Sequence, residues 1–224
     1  MKFTLALTLL FLFIVSCSST PKMETFSITS HSKGLLKTSL APFPIYLMDT
    51  LESRTVLEEK YSKDILIIHT GHILDAKKSK AENEQVLNSL SERGIDVVNL
   101  TLEDFSIALK QNINFENYPQ SFLNSSVIDL GTDSLVTAKN ISSYYTHENI
   151  AFVGLSDRKV SNNLPTEKFI VEDYVLSILK NKKKMINDFG EKHPANFIIV
   201  HNIGEEIKEV LERLPPTFLN SLTN

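Results

Sequence analysis

The chain has 224 residues, 42% of them hydrophobic and 22% charged, with a formal net charge of −4 and a pI near 5.9. That content is ordinary for one globular domain with its own core, and the acidic balance, with no basic stripe, excludes the electrostatic footprint of a nucleic-acid binder. Cys17 is the only cysteine, so an internal disulfide is excluded as well.

The chain begins with one positive charge, Lys2, and an apolar run from Phe3 to Val15. This is the pattern of a secretory signal. A bilayer-spanning helix needs about 20 apolar residues, and Ser16-Cys17-Ser18-Ser19-Thr20-Pro21 ends the run too soon. Ile14-Val15-Ser16-Cys17 resembles the lipobox of bacterial lipoproteins: aliphatic and small residues before an obligatory cysteine at the end of the signal. The resemblance implies cleavage after residue 16 and lipid on Cys17, a diacylglycerol on sulfur and an acyl group such as palmitate on the new amino terminus. Each buried CH₂ contributes about 0.8 kcal/mol, so several chains on one residue anchor stably. The alternative is an ordinary signal peptide with an incidental cysteine. Membrane lipid is thus the expected partner and the bacterial cell envelope the expected location. Ser18, where an aspartate would argue for inner-membrane retention in enterobacteria, favours the outer membrane. Residues 17–37, rich in Ser, Thr and Lys, read as a flexible tether, and residues 38–224 as a single α/β domain.

Within that domain Leu40–Leu47 reads as extended, because Pro42 and Pro44 bias their predecessors away from helix, and Leu51–Tyr61 as a short polar helix. Ile65-Leu66-Ile67-Ile68 is a continuous apolar run too short for a buried helix, hence a buried strand. Ala81–Arg93 places Val86, Leu87 and Leu90 on one helical face, with Gly94 as its stop. A strand over Ile95–Leu100 follows. Thr101 then supplies an N-cap hydroxyl with Glu103 and Asp104 in the first turn, and Phe105, Leu109 and Ile113 continue a helical stripe. Further strands are expected at Ser126–Leu130, Ile150–Gly154 and Asn196–His201, with helices over Glu172–Phe189 and Glu205–Leu214. Strands alternating with helices argue for an α/β domain around a largely buried sheet.

The order of these elements resembles the calcineurin-like metallophosphoesterases, in particular the secreted 5′-nucleotidase branch, over residues Asp64 to Pro215. Asp64-Ile65-Leu66-Ile67-Ile68-His69-Thr70-Gly71-His72 is similar to the opening strand and HTNDxHG motif. Gly94-Ile95-Asp96-Val97-Val98-Asn99-Leu100 is similar to the strand that leads into GNHE. Asn149–Leu155 and Phe197–Glu206 are similar to two later framework strands. The resemblance implies an αββα sandwich, of which this shortened chain keeps only part; a plain three-layer α/β domain is the fallback. It also implies a centre of two divalent ions, Mn, Zn or Mg, that polarise a phosphoryl oxygen and supply hydroxide.

The ligands are mostly replaced. The Asp and His of the opening motif fall at His72 and Leu74, and the four residues of GNHE fall at Thr101, Leu102, Glu103 and Asp104. His201 alone stands where the family has a ligand histidine, and no GHxH follows Pro216. An apolar Leu102 contributes nothing to holding a cation. The expectation is therefore a degenerate domain with a binding or scaffold role. The alternative is a divergent metal-dependent phosphoesterase working through one metal on His72, Asp104 and His201. His69, His72 and Asp75, together at a strand end, form a second candidate metal group; two loop histidines satisfied by backbone is the competing reading. Glu103 and Asp104 read as acid and base or as first-turn acids favoured by the helix dipole. The basic run Lys180 to Lys184 reads as a solvated helix end or as a contact for anionic headgroups.

Overall fold

The computed structural model describes residues 24–27, 34–36, 41, 43–48, 51–61, 63–158, 160, 164–190, 194 and 196–201. The signal segment, Cys17, His31, His193 and the helix expected over 205–214 lie outside the described residues.

A six-stranded sheet runs β2 (Gly34–Leu36), β3 (Ile45–Met48), β4 (Leu66–His69), β5 (Val97–Asn99), β6 (Ser121–Leu123) and β9 (Ile141–Ser142), parallel from β3 to β9. A second sheet runs β1 (Glu24–Ser27), β13 (Asn196–His201), β11 (Ile150–Leu155) and β10 (Tyr145–His147). Strands β1, β13 and β11 are parallel and β10 is antiparallel. A small antiparallel sheet, β12 (Phe169–Val171), β7 (Val127–Asp129) and β8 (Ser134–Leu135), completes the strands. The helices are α1 (Arg54–Lys60), α2 (Lys80–Glu92), α3 (Leu102–Gln111) and α4 (Tyr174–Phe189). Strands β1 and β2 lie inside the segment read from composition as a tether; each is paired along a sheet edge.

Period-2 alternation explains the layers. Ile45, Leu47, Leu66, Ile68, Val97, Leu123, Ile150, Phe152, Ile198 and Val200 form one buried cluster contributed by both large sheets. The residues between them, Tyr46, Met48, Ile67, Val98, Phe122, Ala151, Val153, Phe197 and Ile199, pack in another cluster with Leu57, Leu87, Leu90, Phe105, Tyr174 and Ile178 of the helices. The apolar runs at residues 65–68, 150–153 and 197–200 are thus buried on both faces, one against the other sheet and one against helices. That is an αββα sandwich. Because β4, β5 and β6 step in one direction through parallel crossovers, right-handed connections place α2 and α3 on the same side.

Local chemistry sets the helix starts. Ser79 and Glu82 form a capping box on α2, and Thr101 and Asp104 one on α3. Each satisfies two otherwise unpartnered donors. Asn112 ends α3 in the left-handed region at φ 53°, a conformation Asn tolerates. Arg54 fixes α1 to the opposite end of the sheet. It donates to the Ile65 and Gly94 carbonyls and, at 2.5 Å, to Asp96, whose Oδ2 also accepts from the Ile67 amide.

Candidate functional site

The parallel strands deliver the ends of β4, β5, β6 and β11 to one edge of the sandwich, where open α/β sheets commonly bind ligands. Asn99 closes β5 and is fully buried; its Nδ2 donates to the Thr70 carbonyl at 3.1 Å and to the Leu155 carbonyl at 3.0 Å, joining the two large sheets. Gly154 lies against its Oδ1 so closely that an added Cβ would sit 2.1 Å away.

The candidate residues occupy different surroundings. His69, the last residue of β4, is buried, and its Nδ1 accepts from the Gly71 amide at 3.3 Å. His72 holds φ at 55°, an uncommon conformation for a residue other than Gly, Asn or Asp. Its half-exposed ring places Nδ1 3.4 Å from Glu103 Oε2. Asp75 is exposed and belongs to the turn before α2, where its Oδ1 accepts from the Lys77 amide and its own amide donates to Asn83. His201 is buried at the end of β13, in the second sheet, paired in register with Leu155.

Asp104 is the centre of the loop. Fully buried, its Oδ2 accepts from the His72 amide (3.1 Å), the Thr101 amide (2.9 Å) and the Thr101 hydroxyl (2.7 Å), and its Oδ1 accepts from the Leu74 amide (3.0 Å). Burial pushes its carboxyl above the usual range, opposed by the nearby His72 and by these donors. Of the four donors on this carboxylate, three sit on Oδ2 and one on Oδ1, so most of its lone-pair sites are taken by the chain itself. Its role is to cap α3 and to fold residues 71–74 onto the helix start.

Neutral side chains complete the closure. Leu102 donates its amide to Ser156 Oγ at 2.6 Å, and the Ser156 amide donates to Ser126 Oγ at 2.9 Å. Ser125 Oγ accepts from the Gly154 amide and donates to the Ser143 carbonyl. Leu74 and Leu102, at positions where the resemblance expects ligands, are buried in the apolar cluster of the helical layer. The donor set therefore does not fit a two-ion centre, because two of its positions are aliphatic, Glu103 turns to His72, and the buried Asp104 already accepts four hydrogen bonds. Among the described residues no three His, Cys, Asp or Glu stand together as a metal-holding group, either His72 with Asp104 and His201 or His69 with His72 and Asp75. Among the described residues, His72 and Glu103 form an acid–imidazole contact at this edge.

Asn99, Ser125, Ser126 and Ser156 were not singled out from the sequence. Their signal is nevertheless there: each polar residue directly ends, or follows the end of, an apolar strand, where a buried polar group must find partners.

No protein-family model matches the chain, and no curated protein matches it. Among solved structures it is similar to the sulfate thiohydrolase SoxB of Thermus thermophilus, solved in complex with glycerol. The TM-score is 0.54 at 14% identity, over 72% of this chain and 30% of that one. It is also similar to the NAD nucleotidase NadN of Haemophilus influenzae (TM-score 0.48, 14% identity, 83% of this chain and 35% of that one). A third neighbour is the calcineurin-like phosphoesterase YfkN of Bacillus subtilis (TM-score 0.46, 12% identity, 79% and 60%). The chain spans about a third of the length of the first two and 60% of the third. The likeness is one of fold, and the domain has the metallophosphoesterase-like architecture.

Proposed function

On this metallophosphoesterase-like scaffold, we propose a membrane-anchored bacterial lipoprotein whose domain binds or positions a partner and does not hydrolyse phosphoesters. The observation that carries the reading is the strand-end edge, where Asp104 accepts four hydrogen bonds and Leu74 and Leu102 are buried in the core. A dimetal phosphoesterase works by presenting charged oxygen and nitrogen donors to its ions. Here two of the positions are aliphatic, and three amides and one hydroxyl of the chain itself bond to the buried carboxylate.

The test is metal content of the mature chain together with turnover on nucleotides and p-nitrophenyl phosphate. Far less than one Mn, Zn or Fe per chain and no turnover in excess Mn are expected. Two bound ions with turnover that His201→Ala abolishes would overturn the reading.

A second reading keeps an observation of its own, the His72–Glu103 pair at 3.4 Å, half-open to solvent. A carboxylate that orients an imidazole is the arrangement of a general base. Metal-independent hydrolysis lost in both His72→Ala and Glu103→Gln would favour it over the binding role.

The anchor rests on the lipobox-like Ile14-Val15-Ser16-Cys17. Mass spectrometry of the native amino terminus is expected to find a lipid-modified Cys17 and partition into detergent. An unmodified residue downstream of Cys17 would remove the anchor and leave the reading of the strand-end edge untouched.

A further inference from the structure

A half-open cleft of about 510 Å³ lies beside β9 and β10, the outer strands of the two large sheets. Its walls include the hydroxyl-bearing Thr137, Ser142, Ser143, Tyr144 and Thr146, with Lys184 as the one charged side chain. Lys184 Nζ donates to Ser143 Oγ at 3.1 Å and stands 5.8 Å from the centre of the Tyr144 ring. No carboxylate lines the cleft, and the neighbouring Asp188 accepts the Tyr144 hydroxyl at 2.6 Å.

The polar cleft borders an apolar feature. The Tyr144 ring packs 6.1 Å from Phe189 at the end of α4, and Phe189 is 40% exposed. Leu176 (43%) and Ile186 (37%) are exposed on the same helix, so α4 carries three of the seven large hydrophobic side chains exposed among the described residues. It also carries Lys183 and Lys184, both exposed, whereas Lys182 is buried and Lys180 is paired with Glu172. Exposed aromatic and aliphatic side chains among lysines are the composition of a helix that lies at a membrane interface.

We propose that this cleft receives the headgroup of an anionic glycerophospholipid. Lys184 faces the phosphate, the Ser and Thr hydroxyls meet the glycerol oxygens, and Phe189 rests at the acyl boundary. One cation amid hydroxyls matches a singly charged phosphodiester bearing further hydroxyls, and the exposed ring matches the chains attached to it. A partner peptide added as a strand is disfavoured, because β9 and β10 are two and three residues long and strand addition depends on a run of main-chain hydrogen bonds. The proposal rests on the lipoprotein reading only for access to a bilayer.

The experiment is sedimentation of the chain from residue 18, which retains every described residue, with vesicles of phosphatidylcholine alone or containing a third phosphatidylglycerol. Binding is expected to rise about tenfold with phosphatidylglycerol, since each lysine near an anionic surface contributes about fivefold. Lys184→Glu and Phe189→Ser should each return it to the phosphatidylcholine level, with thermal melting confirming that both variants fold. Lys183→Glu, an exposed charge that does not line the cleft, should lower it far less. Equal effects of the Lys183 and Lys184 changes would reduce the binding to general surface charge and overturn the cleft. Equal binding to both vesicles would overturn the lipid class. Tight binding of free glycerol 3-phosphate, with displacement from vesicles, would replace the bilayer with a soluble phosphate ester. None of these outcomes depends on the metal and phosphatase measurements.

Discussion

Asp104→Ala is expected to lower folding stability by about 3–5 kcal/mol, measured by urea unfolding of the mature chain. The change removes one acceptor group from four donors: the amides of His72, Leu74 and Thr101 and the Thr101 hydroxyl. Leu74 and Thr101 are buried, and a buried donor left without a partner costs about 1–3 kcal/mol. Loss of an N-cap arrangement adds about 1 kcal/mol. Asp104→Asn should fall between, because its single carbonyl oxygen replaces one carboxylate oxygen while its NH₂ faces donors on the other side. A metal ligand would behave differently. Removing a carboxylate from an ion site relieves charge repulsion in the metal-free protein, so a neutral or stabilising Asp104→Ala would show that the carboxylate serves a cation after all.

Gly154→Ala is expected to be nearly as severe, about 3 kcal/mol or more. For a domain of this size that corresponds to roughly 6–12 °C in Tm. The new Cβ would lie 2.1 Å from Asn99 Oδ1 and 2.8 Å from Leu123 Cγ, with β11 held in register by β10 and β13. Asn99 must yield, and its two bonds to the Thr70 and Leu155 carbonyls go with it. Overpacking of a close-packed interior costs about 1–3 kcal/mol, and the stranded carbonyls add to it. The pair Asn99→Ala and Gly154→Ala should be strongly non-additive, the double variant being less unstable than the sum of the singles, since the side chain that clashes is gone. Additive losses would mean that Gly154 is required for another reason.

Both predictions fall at the strand-end edge, and there the sequence was least able to decide. It presented Glu103 and Asp104 after Thr101 as either working acids or dipole-favoured first-turn residues. The structure separates them: Asp104 turns inward as the partner of Thr101 in the capping box, and Glu103 turns toward His72. One residue of difference along a helix rotates a side chain by about 100°, so adjacent acids take opposite roles. Asp75, grouped with His69 and His72 by proximity in the chain, is an exposed turn residue near α2. Only the course of the loop between β4 and α2 shows this.

The long, strongly patterned elements were legible. The runs at 65–68, 150–154 and 196–201 form strands, and the stripes at 81–93 and after Thr101 are helices, the second with the cap expected at Thr101 and the first with a capping box at Ser79 that the sequence reading did not name. Besides β1 and β2, which fall in the segment read as a tether, the strands missed are β6, β8, β9, β10 and β12, each two or three residues long. A period of two cannot be recognised over so few positions, and such strands exist because longer neighbours offer them an edge.

By itself, then, the sequence determined which segments would be buried and helical or extended, because burial and capping are written in residues a few positions apart. It also held the lipobox-like Ile14-Val15-Ser16-Cys17, a resemblance read from linear order. Tertiary structure alone decided that the continuous apolar runs divide into a layer between two sheets and a layer beneath helices, and that Asn99, Gly154, Ser156 and Asp104 meet. Those contacts join residues tens of positions apart, and whether a carboxylate grips an ion or three amides and a hydroxyl depends on which groups the fold brings within about 3 Å of it.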